Sequence, residues 1–325
     1  MAARAKVVRA DRSEPGWTRR RTGHGFAYLD QDGSPLPDDE TRRLAELAVP
    51  PAWEDVWFAP NPRSHILATG IDAAGRRQYI YHPDWIASQD RTKHERVLDL
   101  AAALPSARGR VTRDLHAAPG SMARALAVAV RLVDATYVRV GDDRHTATTG
   151  HRGLTTLLCR HVDVRGDEVT LDFRGKSAQQ WHVSTRDHDL AVAVRSLRKG
   201  RSDRARFLAH HEQRAWTALH ARDVNAYVRE ITGTTCTTKD FRTLHGSVVA
   251  AQELARAGWS PVQAERDRAV REAIVRTAER LGNTPAVARA SYVDPIVLTL
   301  FHDGTVIDLR RDGVAAYLSL VRESS

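Results

Sequence analysis

The chain is short of cysteine, short of lysine and without a long apolar run, and each shortage excludes something. Only two cysteines, Cys159 and Cys236, occur in 325 residues, far apart and in no metal-ligand spacing. So few cannot build a disulfide framework, and a reducing, cytoplasmic setting is the expectation. No stretch approaches the ~18 consecutive apolar residues of a spanning helix, so no membrane association is expected. The N-terminal stretch MAARAKVVRADRSEPGWTRRRTGHGFAYLD has no apolar h-region, which argues against a secretory signal. Histidines occur in no His-Glu-x-x-His spacing. The one Gly-Lys-Ser, in FRGKSA, lacks the earlier glycine of a phosphate-binding loop, because position 170 is Thr. Asp142-Asp143 is the acidic pair to inspect, but no carboxylate cluster resembles a two-metal nuclease site. Neither a metal nor another cofactor is expected.

What is present is positive charge. The net charge is +9 and the pI about 10.0. The basic residues are spread along the chain, which suggests a folded basic surface facing a polyanion, most simply nucleic acid. Five of the 49 basic residues are lysines: Lys6, Lys93, Lys176, Lys199 and Lys239. A coding bias toward Arg explains that ratio but not the net excess of charge. A lysine retained in such a chain is a candidate for work that Arg cannot do, since Lys can lose its proton.

The periodicity divides the chain near residue 87. Residues 1–87 read as a small β-rich unit. HILATGIDAAGRRQYIYH (65–82) is a hairpin turning at Asp72 to Gly75, and one helix is expected at 38–47. Residues 88–325 read as a larger, mostly helical unit, with helices at 90–104, 119–138, 204–231, 238–257, 260–281, 285–292 and 312–323. The 204–231 helix rests on Trp216, Leu219, Val224, Tyr227, Val228 and Ile231. A three-stranded meander lies at 161–183, with Val162 and Val164, then Val169, Leu171 and Phe173, then Trp181 and Val183 alternating. The fold class is α+β.

Individual candidates are modest. Lys176 sits at a hairpin tip, where most lysines are merely solvated. Thr238 is the expected N-cap of the 238–257 helix. Arg242 falls in its first turns, the unfavourable end for a cation unless an anion binds there with help from Lys239. Arg139 is expected at a helix end closed by Gly141. In LGNTPAVARASYVDP (281–295), Gly282 caps one helix, Thr284-Pro285 starts the next, and Asp294-Pro295 stops it. Asn283 is at the corner with an amide free to donate. Tyr292 alone reads as an ordinary aromatic.

Taken in order, these pieces resemble the type IB DNA topoisomerases, specifically the compact bacterial and poxvirus-type members. GIDAAGRRQYIYH is similar to the family's N-terminal DNA-contacting hairpin. YVRVGDD with GLTTLLCRHV resembles the segment of the first catalytic arginine, Arg139. FRGKSA resembles the hairpin lysine, Lys176, and KDFRT the Lys-x-x-Arg segment, Lys239 and Arg242. LGNTPAVARASYVDP resembles the nucleophile segment, with Tyr292. Asn283 stands where poxvirus-type enzymes carry His, and bacterial members are similar to this chain in using Asn. An amide can donate to a phosphate oxygen but cannot titrate.

The resemblance implies relaxation of supercoiled duplex DNA by a monomer acting as a clamp, in the cytoplasm at the nucleoid, without ATP or metal. Tyr292 would form a 3′-phosphotyrosyl link. Arg139, Arg242 and Asn283 would hold the phosphate. Lys176 would protonate the leaving 5′-oxygen, and Lys239 would support it. Arg77, Gln78, Tyr79 and Tyr81 would face a DNA groove, although alternation alone also allows Tyr79 and Tyr81 to be a half-buried aromatic ladder. A tyrosine recombinase shares this catalytic logic but usually shows His-x-x-Arg and a helical arm-binding domain. A non-catalytic basic nucleic-acid-binding protein would keep the charge without needing Tyr292, Lys176 and both arginines.

Overall fold

The computed structural model describes residues 6–23, 25–212 and 215–324, and the side chain of Ser177 lies outside the described set. The chain forms an α+β fold of two compact units, Met1–Thr92 and Lys93–Ser325.

In the first unit, β1 (Trp17–Thr22), β2 (Gly25–Leu29), α1 (Asp38–Glu46), β3 (Glu54–Phe58), β4 (Ile66–Ile71) and β5 (Arg77–Tyr81) follow in order. The strands form one antiparallel sheet, β2-β1-β3-β4-β5. Its core is Leu44, Val49, Val56, Phe58 and Ala68, so α1 closes one face of the sheet with Leu44. The β4–β5 turn is built by Asp72. Its carboxylate accepts from the backbone N–H of Ala74 and Arg76 at 2.9 Å each, and Gly75 takes the left-handed position.

The division between the units falls inside α2 (Pro83–Leu115). The sequence predicts that this helix stops before Pro105, because proline removes a backbone donor. It continues instead. Buried Val97, Leu100 and Leu104 before the proline and Ala107, Val111 and Leu115 after it form one stripe, and burying that stripe outweighs one lost hydrogen bond.

The second unit contains α3 (Met122–Thr136), α4 (Asp143–Thr149), β6 (Val162–Arg165), β7 (Glu168–Arg174), β8 (Gln180–Arg186), α5 (His188–Arg198), β9 (Ala209–Glu212), β10 (Ala215–Ala218), α6 (Ala221–Thr232), α7 (Thr238–Ala257), α8 (Gln263–Leu281), α9 (Pro285–Tyr292), α10 (Pro295–His302) and α11 (Gly313–Glu323). The meander β6-β7-β8 is antiparallel, with Phe173 opposite Trp181 and Leu171 opposite Val183. Helix α7 is the centre of the unit. It is buried on nearly every side from Thr238 to Leu254 and packs against α3, α6, α8, α9, α10 and α11. Among the described residues, no helix is long and apolar enough to cross a membrane.

The single helix expected over 204–231 is absent. Residues 209–212 and 215–218 form the strands β9 and β10, with Trp216 opposite His211, and among the described residues of this stretch only α6 is helical. Trp216 is 39% exposed rather than part of a core stripe. Its ring is covered by the Arg201 guanidinium, 4.2 Å from the centroid, and by the edge of His211. The helical stripe begins only within α6, with Val224, Tyr227 and Val228. Helices α4, α5 and α10 are additional to those read from the sequence. Pro295, read as a stop, also serves as the first residue of α10, and Asp294 accepts from the Ile296 N–H at 3.1 Å to cap it. Asp142 caps α4, and Asp143 pairs with Arg206 and His220 at 2.7 Å each, so both members of the acidic pair are occupied structurally.

Candidate active site

The site forms where four local structures meet. The first is the end of α3. The helix does not run to Gly141 as the sequence suggests. It ends at Thr136, and Tyr137 takes the left-handed conformation (φ 59°) as C-cap. This turn sends an extended segment past the 153–156 loop, where the Arg139 carbonyl accepts from the Leu154 N–H at 2.9 Å and the Val140 carbonyl from the Thr155 N–H at 2.7 Å. The backbone of Arg139 is thereby pinned, and its Nη2 donates to Asn283 Oδ1 at 2.5 Å.

The second is the start of α7. Its N-cap is Thr237, not Thr238. The Asp240 carboxylate accepts from both the N–H and the hydroxyl of Thr237, at 2.8 and 2.9 Å, while Thr238 bonds to Asn225. Arg242 follows one turn later and is 2% exposed. Its guanidinium donates to the Tyr137 carbonyl and, at 2.7 Å, to the Leu281 carbonyl. Lys239 is exposed in the first turn.

The third is the α8–α9 corner. Gly282 caps α8 in the left-handed region (φ 58°). A Cβ there would lie 2.5 Å from Trp181 Cζ2. The corner and the β7–β8 hairpin can therefore touch only because this residue is glycine. That contact brings Lys176, exposed at the hairpin tip, to the same cleft as Asn283. The Asn283 Oδ1 is taken by Arg139, and its buried Nδ2 has no partner among the described residues. The fourth is the end of α9, where Tyr292 lies with its ring 4.9 Å from the Arg242 guanidinium. Arg139, Lys176, Gln179, Gly282, Asn283, Thr284, Val287 and Tyr292 line one cleft of about 420 Å³.

The electrostatics of this cleft are those of an anion site. Among the described residues, neither Arg139 nor Arg242 pairs with a carboxylate, and both donate to neutral oxygens. Burial, reinforced by the charge of Arg139, pushes the Arg242 pKa down to about 10, which leaves it protonated at neutral pH. Two guanidinium groups held together at this cost gain most from a phosphate that neutralises both. For Tyr292, burial opposes ionisation, but the charge of Arg242, with Arg139 and Lys239 behind it, outweighs burial and holds the phenol below its ordinary value.

Six of the candidate residues thus lie in or beside one cleft of the second unit. The other four lie on β5. Tyr79 and Tyr81 are 41% and 38% exposed and stack on each other at 5.8 Å, so they are an exposed pair and not a half-buried ladder. Arg77 pairs with Asp55 at 3.3 Å, and Gln78 donates to Asp72 at 2.8 Å.

A family model of the catalytic core of eukaryotic DNA topoisomerase I matches residues 82–296. A second, of the N-terminal domain of bacterial DNA topoisomerase IB, matches residues 25–72. The chain belongs to the type IB DNA topoisomerases. DNA topoisomerase 1B of Acanthamoeba polyphaga mimivirus is 28% identical over 295 residues, covering 89% of this chain and 88% of the relative. DNA topoisomerase I of monkeypox virus and DNA topoisomerase 1B of Vaccinia virus (strain Copenhagen) are each 20% identical over 262 residues, covering 79% of this chain and 78% of theirs. All six cleft candidates fall within the core match. Arg77 to Tyr81 fall between the two matches, and α11 lies beyond both.

Sequence reasoning missed a buried cluster that supports Tyr137, the residue whose carbonyl holds Arg242. Asp134 is 8% exposed, inside the apolar run of α3. It accepts from Arg108 Nε and Nη2 at 2.7 and 3.1 Å and from His245 Nε2 at 2.8 Å. The His245 ring stacks on Tyr137 at 4.6 Å, beneath the carbonyl that holds Arg242. A lone carboxylate in LAVAVRLVDATY was the available signal, since a buried charge needs partners. Burial disfavours the ionised form, but His245 and Arg108 hold the Asp134 pKa down to about 2. Because the folded value lies below the ordinary 3.8, this pair stabilises the fold above that pH, and the contribution is lost as pH falls through about 2. Asp134→Asn is expected to cost about 3 kcal/mol at neutral pH and to flatten the acid limb of stability. Urea unfolding across pH measures both, and an unchanged acid limb would refute the assignment.

Proposed function

We propose that the protein relaxes supercoiled duplex DNA by cutting and resealing one strand through Tyr292. The observation that carries this reading is the pair Arg139 and Arg242, without carboxylate partners among the described residues, beside a phenol whose ionisation they favour.

In this reading the Tyr292 oxygen attacks a backbone phosphorus. The new bond is a 3′-phosphotyrosyl ester, and the bond that breaks runs to the 5′-oxygen of the next nucleotide. Arg139 and Arg242 stabilise the non-bridging oxygens as charge builds in the five-coordinate state, and the unpartnered Asn283 Nδ2 supplies one more donor. Asn283 also orients Arg139 through its Oδ1, a role that needs no titration. Lys176, exposed at the hairpin tip, gives its proton to the departing 5′-oxygen, which Arg could not do. Lys239 contributes its charge to the phenol. The strand rotates, the 5′-hydroxyl attacks the phosphotyrosine, and the proton returns to Lys176. Each ester formed replaces one broken, so no ATP is required. The charge stabilisation comes from side chains, so no metal is required either. Tyr79 and Tyr81, with Arg77 on the same strand face, are offered as a duplex contact of the first unit.

Purified protein is expected to relax supercoiled plasmid in EDTA without ATP, and to leave a covalent adduct on the 3′ side of the nick when denatured in mid-reaction. Absence of relaxation, or an adduct on the 5′ side, would sink the reading. Exchange of strands between two sites, without relaxation, would favour a tyrosine recombinase.

A further inference from the structure

Helix α9 has only one buried residue, Ala288, so its own packing holds it weakly. What fixes its last residue lies just beyond it. On the α7 side, Gly246 lets the Tyr292 backbone come close, because a Cβ there would lie 2.5 Å from the Tyr292 carbonyl oxygen and 3.0 Å from its Cβ. The neighbouring Ser247 Oγ lies 3.4 Å from the same carbonyl and accepts from the Asp294 N–H at 2.9 Å. On the other side, the Asp294 carboxylate is 5% exposed and receives the hydroxyl of Tyr317, from α11, at 2.8 Å. Tyr317 is itself fully buried. Asp294 Oδ1 caps α10, and His94 Nδ1 stands 4.0 Å from it.

We propose that Asp294 and Tyr317 are positioning residues for the nucleophile, so that α11 is part of the catalytic apparatus although it lies beyond the family match. Tyr292 and Asp294 are separated by a single residue, so an anchor on Asp294 limits where the Tyr292 ring can swing. Burying a carboxylate and a phenol together is worthwhile only if each satisfies the other, and once made the contact is stiff. An in-line attack on phosphorus tolerates little displacement of the attacking oxygen. The contact joins Tyr317 to Asp294 and does not include the Tyr292 hydroxyl, so its effect runs through the placement of Tyr292. The inference rests on Tyr292 being the nucleophile.

The test is single-turnover cleavage and religation on a nicked-site duplex by the full chain. Tyr317→Phe keeps the ring and removes one hydroxyl. Both rate constants are expected to fall roughly 10- to 100-fold, since misplacement by about 1 Å costs on that order. They should fall by the same factor, because the forward and reverse reactions share one transition state. The cleavage equilibrium and DNA affinity should then be unchanged. Asp294→Ala should be at least as slow, and Asp294→Asn, which keeps an oxygen for the phenol, should recover part of the rate. Wild-type rate constants in Tyr317→Phe would overturn the proposal. So would a loss that vanishes once rates are normalised to folded protein. If Tyr317→Phe does not fold, Asp294→Ala decides, and wild-type rates in it overturn the proposal. Tyr292→Phe is run alongside. If it stays active, the nucleophile assignment has failed; if it is dead while Tyr317→Phe is normal, only the positioning role has failed.

Discussion

Tyr292→Phe is expected to abolish relaxation and the covalent adduct while leaving DNA binding intact. The expected loss is at least about 10⁴-fold, as for removal of a nucleophile that no neighbour can replace. The substitution is a clean one. The ring contact with Arg242 at 4.9 Å depends on the π-face, and Phe keeps that face. The backbone of residue 292 keeps its approach to Gly246 and Ser247. Only the reacting oxygen goes. Plasmid relaxation, adduct trapping by denaturant and a gel-shift titration measure the three quantities separately. Retained relaxation would sink the assignment of Tyr292, and lost binding would show that the variant had done more than remove a hydroxyl.

Arg242→Ala should slow single-turnover cleavage by roughly 10³-fold and move its pH dependence upward. The sign follows from the phenol. With Arg242 present, Tyr292 ionises below its ordinary 10.0, so cleavage should rise with pH and level off before the pH at which a free tyrosine would. Without the guanidinium, the burial effect is less opposed and the plateau shifts to higher pH. Ala also leaves the Tyr137 and Leu281 carbonyls without their donor, so some stability is lost as well. Arg242→Lys separates the two effects. It keeps the charge and should hold the plateau nearer its wild-type position. It loses the planar fork that bonds both carbonyls and still faces the phosphate, so it should remain slow. A plateau that does not move in Arg242→Ala would show that Arg242 does not govern the phenol.

The reading of Arg242 shows how far sequence carries. Its helical stripe, with Phe241 and Leu244, is legible, and an anion near the start of α7 is a sound expectation. The burial of Arg242 itself is not legible. The arginine reaches 2% exposure because α3 and α8 each end with a carbonyl pointing at it. Nothing local to residue 242 announces those partners. Arg139 is similar. Gly141 looked like the helix cap, but the left-handed turn falls on Tyr137, a non-glycine held there by stacking on His245 more than a hundred residues away. The failure over 204–231 has the same origin. Trp216 fits a helical period by spacing, yet its apolar face is met by Arg201, a contact no window over 204–231 contains.

By itself, then, the sequence determined what repeats over a few residues: the hairpin at Asp72 to Gly75, the meander, the Gly282 corner, most helices of the second unit, and the presence of a tyrosine, lysines and arginines in a telling order. Side-chain period and turn chemistry are local, so one chain is enough to read them. The tertiary structure decided everything that requires distant groups to share one space. It set which carbonyls bury Arg242, which oxygen meets Arg139, and that a tyrosine of α11 reaches back to Asp294, just beyond the end of α9. The physical reason is that a buried charge or polar group is tolerated only where partners converge on it. That convergence is a property of packed helices and not of any stretch along the chain.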